Sequence, residues 1–98
     1  MTAPVPVTVY SKPSCVQCTA TKRHLDRKHI TYEEDDATTD GNLAAILSLG
    51  HKAAPVVVIA PDGPGSELSW AEYRPDLIDA LAENRIDDIR NALDRKAT

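Results

Sequence analysis

Phenylalanine is absent from these 98 residues, and the aromatic side chains amount to Tyr10, Tyr32, Trp70 and Tyr73. A core must therefore be built from aliphatic residues. No basic stretch interleaves with aromatics and the formal net charge is −4, which leaves nucleic-acid binding nothing to rest on. The longest apolar run, Ala53 to Ala60, falls far short of the roughly 20 residues that a membrane-spanning helix needs. The start, Met1-Thr-Ala-Pro-Val-Pro-Val, has neither a basic region nor a long apolar stretch. It is not read as a signal peptide, so the cytoplasm is the expected home, where thiols are kept reduced. Cysteine is scarce too: Cys15 and Cys18 are the only two.

What is present suits one domain with a packed core: 42% hydrophobic and 27% charged residues, with seven prolines and four glycines as punctuation. Val5, Val7 and Val9 alternate with Pro6, Thr8 and Tyr10, the period of a strand, with Pro6 at its very start because it cannot donate to a ladder. Lys12-Pro13-Ser14 reads as a turn. Ser14 is the expected cap of a helix running from Cys15 to about Lys28, with Cys18 and Leu25 on one face. Ile30 to Asp35 reads as a second strand. Asp40 is the expected cap of a second helix with Leu43, Ile46 and Leu47 inward, stopped by Gly50. Ala54-Pro55 opens an apolar strand, "VVVIA", of the kind buried on both faces. The turn chemistry of residues 61–65 folds the next strand, Ser66 to Trp70, back antiparallel. Pro75 suits the first turn of a third helix carrying Leu77, Ile78 and Leu81. Ile86, Ile89 and Leu93 keep helical spacing beyond it, as a continuation or a tail.

Cysteines at i and i+3 of a helix lie on one face with Cβ atoms about 5–6 Å apart, so a small adjustment makes or breaks a disulfide. A loop this short gains only roughly 2 kcal/mol from the bond, which makes it a poor structural staple. At a helix start, unpaired amides and the macrodipole favour an anion, and Lys12 adds positive charge. Cys15 is thus placed to attack as a thiolate, and Cys18, one turn deeper, to resolve the mixed disulfide. Cys-x-x-Cys after a strand and opening a helix points to a thioredoxin-like redox site. A zinc site from Cys15, Cys18, His24 and His29 fits badly. Five residues separate Cys18 from His24, where a zinc finger has about 12–15. His24, His29 and His51 are read as solvated surface residues, and no metal is expected.

Three stretches in order carry a resemblance. "YSKPSCVQC", running on into "CVQCTATKR", "APVVV" and "SWAEYRPDLI" make the chain similar, over about residues 5–83, to the glutaredoxin branch of the thioredoxin superfamily, and within it to NrdH-redoxin. The resemblance implies a thioredoxin-like α/β fold, a four-stranded mixed sheet flanked by helices in the order βαβαββα. Residues 1–84 would form the domain and 85–98 a C-terminal helical extension or tail. It implies catalytic Cys15 and Cys18, with Pro55 as a cis-proline beside them. Lys12, Val16, Gln17, Ala54, Pro55, Trp70 and Arg74 are the implied partner-binding or site-ordering residues. The implied function is a monomeric dithiol hydrogen donor for the large subunit of class Ib ribonucleotide reductase. Thioredoxin reductase would recharge it, with NADPH used only by that reductase and no cofactor bound to the chain. A glutathione-dependent glutaredoxin is the alternative, as is a redox-sensing or binding module. The glutathione reading lacks its usual parts: Ala53-Ala54-Pro55 stands where Thr-Val-Pro is usual, and Ser69-Trp70-Ala71-Glu72 where Gly-Gly-x-Asp is usual. The NrdH signature itself, usually Trp-Ser-Gly-Phe-Arg-Pro-Asp, is altered to Trp-Ala-Glu-Tyr-Arg-Pro-Asp, and the Gly-to-Glu difference puts the backbone after Trp70 in question.

Overall fold

The computed structural model describes residues 5–63 and 65–97. Four strands, β1 (Val7–Ser11), β2 (Glu33–Asp36), β3 (Val56–Ile59) and β4 (Leu68–Ala71), form one sheet in the order β2-β1-β3-β4. β1 and β2 are parallel, whereas β3 runs antiparallel to both β1 and β4. The helices are α1 (Val16–Arg27), α2 (Asp40–Ser48), α3 (Pro75–Ala82) and α4 (Ile86–Ala97). This is the thioredoxin-like mixed sheet, with a fourth helix after the expected order.

β1 starts one residue after Pro6, whose missing N–H would have left a gap in the ladder; the Pro6 carbonyl instead accepts from Ala60 N–H. The sheet registers Val9 with Val57 and Val57 with Trp70, which puts all three on one face. That face, with Leu25, Leu77, Ile78, Leu81 and Ile89, forms the main core under α1, α3 and α4. The opposite face is thinner: Ala37, Ile46 and Val56 are buried together, with Tyr10, Ala54, Val58 and Ala71 packed against them.

Local chemistry explains most element ends. α1, α2 and α3 close with the same reciprocal pair of bonds, in which the second residue past the cap donates five residues back and the first donates to the next carbonyl. Ile30 N–H reaches Leu25 O, His51 reaches Ile46, and Arg85 reaches Ala80. The turn needs a left-handed residue, supplied by His29 (φ 59°), Gly50 (φ 90°) and Asn84 (φ 58°). The expected stop at Gly50 has this cause.

Several expectations are corrected. The cap of α1 is Cys15, with Ser14 one step earlier at φ 57°, and the cap of α2 is Thr39, with Asp40 inside the first turn. β2 is shifted to Glu33–Asp36, because Ile30 is taken by the close of α1, where it is buried against Leu25. All four residues of this edge strand are acidic and exposed, which opposes pairing with another chain's edge. β4 begins at Leu68, later than Ser66. On α2 only Ile46 is buried; Leu43 and Leu47 are exposed at 40% and 56%, since a nine-residue helix alone on its face has no second helix to cover its flanks. Ile89, in α4, is fully buried in the main core.

Candidate active site

The end of β1 delivers the chain into the turn 12–14, and α1 begins directly after Cys15. Cys15 and Cys18 are bonded to each other, with their Cα atoms 5.2 Å apart. Cys15 is partly exposed while Cys18 is buried, as expected for an attacking and a resolving thiol. Because Cys15 is itself the cap, its Sγ accepts the Cys18 N–H at 3.1 Å. That amide is one of the donors a helix start leaves unpaired, so a Cys15 thiolate meets a hydrogen bond and the positive end of the dipole together. The first turn of α1 carries no acidic residue to oppose this.

The Ala54-Pro55 bond is cis, and Pro55 is buried. Two consecutive amides join this proline to the dithiol helix. Glu72 N–H donates to Pro55 O at 2.9 Å, and Tyr73 N–H donates to Gln17 Oε1 at 3.0 Å. Gln17, between the cysteines, therefore orders the loop 72–73. Glu72 reaches its place at φ 70°, a left-handed conformation that glycine adopts without strain. The altered signature thus keeps the turn that a glycine would favour.

The other expected site residues separate into exposed and locked ones. Val16 is 84% exposed beside the disulfide, an apolar side chain open to a partner. Lys12 is exposed and makes no ion pair among the described residues. With Pro13 it borders an open cleft of about 410 Å³ that runs to the acidic β2. Across that cleft Glu34 accepts from Lys22 at 2.8 Å and from Ser11 Oγ at 2.6 Å, and these two donors, Lys22 foremost, hold its carboxyl below the ordinary value. Arg74 is locked in a two-pronged pair with Asp76 at 3.1 and 2.9 Å, which lowers the Asp76 carboxyl and raises the guanidinium. Ala54 packs on the α2 side. Trp70 is 2% exposed in the main core, so its indole supplies no docking surface.

His24 is not a solvated residue. It is 6% exposed, with Nδ1 2.9 Å from Tyr73 Oη and Nε2 2.8 Å from Asp79 Oδ1. His51 is half-buried, with Nε2 2.9 Å from Ser69 Oγ, while His29 is exposed as expected. The signal for His24 was present in the helical spacing: Cys18, Thr21 and Leu25 line the buried stripe of α1, and His24 falls on its edge. Tyr73 and Asp79 could not be found that way, because they come from the far end of the chain.

A glutaredoxin family model matches residues 7–63. Over 76 residues the chain is 33% identical to the glutaredoxin-like protein NrdH of Escherichia coli K12, spanning 76% of this chain and 86% of that protein. The chain belongs to the glutaredoxin family, in its NrdH branch. The NrdH protein of Lactococcus lactis subsp. lactis is 29% identical over 77 residues, covering 78% of this chain and 99% of the relative. The solved structure of Escherichia coli NrdH-redoxin superimposes with a TM-score of 0.64 at 35% identity, covering 83% of this chain and 95% of that one.

As a thiol–disulfide oxidoreductase of this branch, the protein works by exchange. The geometry allows the more exposed Cys15, as a thiolate, to attack one sulfur of a partner disulfide and release the partner's other sulfur, which takes up a proton. The same geometry allows a Cys18 thiolate then to attack Cys15 Sγ, closing the disulfide seen here and releasing the second partner thiol. Two electrons and two protons pass from dithiol to partner. Burial of Cys18 keeps it from external disulfides while leaving it one helical turn from its target.

Proposed function

We propose that this protein is a dithiol hydrogen donor for the large subunit of class Ib ribonucleotide reductase and that thioredoxin reductase recharges it with electrons from NADPH. In this reading the chain acts as a monomer in the cytoplasm and binds no cofactor of its own. One observation carries it: the loop beside the cis-proline has spent its hydrogen-bonding groups internally. The amides of Glu72 and Tyr73 are bonded to Pro55 and Gln17, and the Arg74 fork is closed on Asp76. A glutathione carboxylate arriving here would meet occupied donors and the exposed Glu72 side chain, and an unpaired buried carboxylate is costly. A protein partner needs none of those groups; exposed Val16 beside the dithiol offers it apolar contact. The Escherichia coli NrdH-redoxin, itself glutaredoxin-like, has a thioredoxin-like activity profile, which supports the same choice.

The oxidised protein is mixed with NADPH and either thioredoxin reductase or glutathione plus glutathione reductase, and NADPH consumption is followed. Faster turnover with thioredoxin reductase is expected, and addition of class Ib ribonucleotide reductase with its substrate should then sustain the consumption. Faster turnover with the glutathione couple would make the protein a glutathione-dependent glutaredoxin instead.

A further inference from the structure

The buried His24 takes no part in the exchange steps, yet its two ring nitrogens are both engaged. Asp79 is an acceptor when ionised, so the imidazole presents Nε2–H to it, which leaves Nδ1 to accept the Tyr73 hydroxyl proton in the neutral ring. Lys28 Nζ lies 3.5 Å from the same Asp79 Oδ1, and with His24 as the larger cause it lowers the Asp79 carboxyl. Tyr73 is therefore fastened to α1 at two points. Its backbone N–H is held by Gln17 in the first turn, and its hydroxyl by His24 two turns further along. The neighbouring Glu72 N–H is fastened to Pro55. The usual signature has Phe where this chain has Tyr73, and Phe could not make the second attachment.

We propose that His24 is a positioning residue for the dithiol: through the Tyr73 hydroxyl it clamps the loop 72–73 that joins the cis-proline to the Cys-Val-Gln-Cys turn, and so sets the redox poise of Cys15 and Cys18. The clamp holds the first turn in the geometry where Cys15 Sγ accepts the Cys18 N–H. That bond favours the thiolate and hence the reduced form, and stabilising the reduced form makes a disulfide easier to reduce. The proposal rests on the oxidoreductase activity and is independent of which protein recharges the dithiol.

The test uses the full chain, equilibrated at pH 7 in buffers of reduced and oxidised dithiothreitol, as wild type, Tyr73→Phe, His24→Asn and the double variant. Unfolding of each is measured in parallel. Loss of the clamp is expected to shift the exchange equilibrium at least threefold towards the oxidised protein, a potential about 14 mV more negative for a two-electron couple. Because both substitutions remove the same His24–Tyr73 bond, to which His24→Asn adds loss of the Asp79 bond, the double variant should shift it no further than the larger single change. Equilibria within 1.5-fold of wild type, whatever the loss of stability, would reduce His24 to a structural role and overturn the proposal. Additive shifts would overturn it as well, since the two side chains would then act by separate routes. If His24→Asn does not fold, Tyr73→Phe, which removes a single oxygen, decides alone by the same threefold criterion.

Discussion

The two faces of the sheet are covered unequally. Under α1, α3 and α4, twelve described residues form one buried cluster, while under α2 three do. The thick face holds Trp70, the His24 clamp and the helix that carries the dithiol; the thin face holds Ala54 and leaves Leu43, Leu47 and Leu49 partly in water. Helix number is the reason. Several helices shield one another's flanks, whereas a single short helix can bury only the one row of side chains aimed at the sheet. Stability should therefore be concentrated on the face that also positions the cysteines.

The largest expected effect lies in α4. Ile89→Ala should lower unfolding free energy by about 2–5 kcal/mol, the range for a fully buried isoleucine, and truncation after Asn84 should lower it further by removing Leu93 as well. Urea unfolding measures both. A truncated chain with unchanged stability would show that α4 is no part of the thick face's energetics and would erase the contrast.

A smaller effect is expected across the sheet. Ile46→Ala should cost about 2 kcal/mol, at the low end because a thinly covered site can collapse around the loss. Leu47→Ala, one residue on and 56% exposed, should change stability by less than about 0.5 kcal/mol. Equal losses at the two positions would mean that α2 buries more than one row and that the faces are closer to equal.

A third change touches neither layer. Glu72→Gly relieves a left-handed residue worth about 1–2 kcal/mol and loosens the unfolded chain by about 0.5–1 kcal/mol, for a net gain of about 0.5–1 kcal/mol. A higher midpoint of thermal unfolding with an unchanged rate of exchange on a small disulfide is the expected result. Destabilisation would mean that the Glu72 side chain contributes more than its backbone strain costs.

Much of the site was legible in the order of residues alone. A strand, a turn and Cys15-x-x-Cys18 at a helix start require only local chemistry, so the paired thiols, the proline stop ahead of β1 and the glycine stop after α2 could be read directly. The helix caps were displaced by one residue because Ser14 and Cys15, or Thr39 and Asp40, can each accept a backbone N–H, and the backbone angles choose between them. The exposure of Leu43 and Leu47 could not be read from their spacing, which is equally that of a covered helix.

The sequence by itself determined the chemistry: two thiols, their spacing, their place at a helix start and the family to which they belong. Those depend on contacts within a few residues. Only the tertiary structure decided what surrounds them. Trp70 became core, Arg74 closed on Asp76, and His24 found Tyr73 and Asp79, 49 and 55 positions away. The physical reason is that a polar side chain on the margin of a helix stripe is equally at home in water or in a buried network. The choice falls to whatever donors and acceptors the rest of the fold brings within hydrogen-bonding reach.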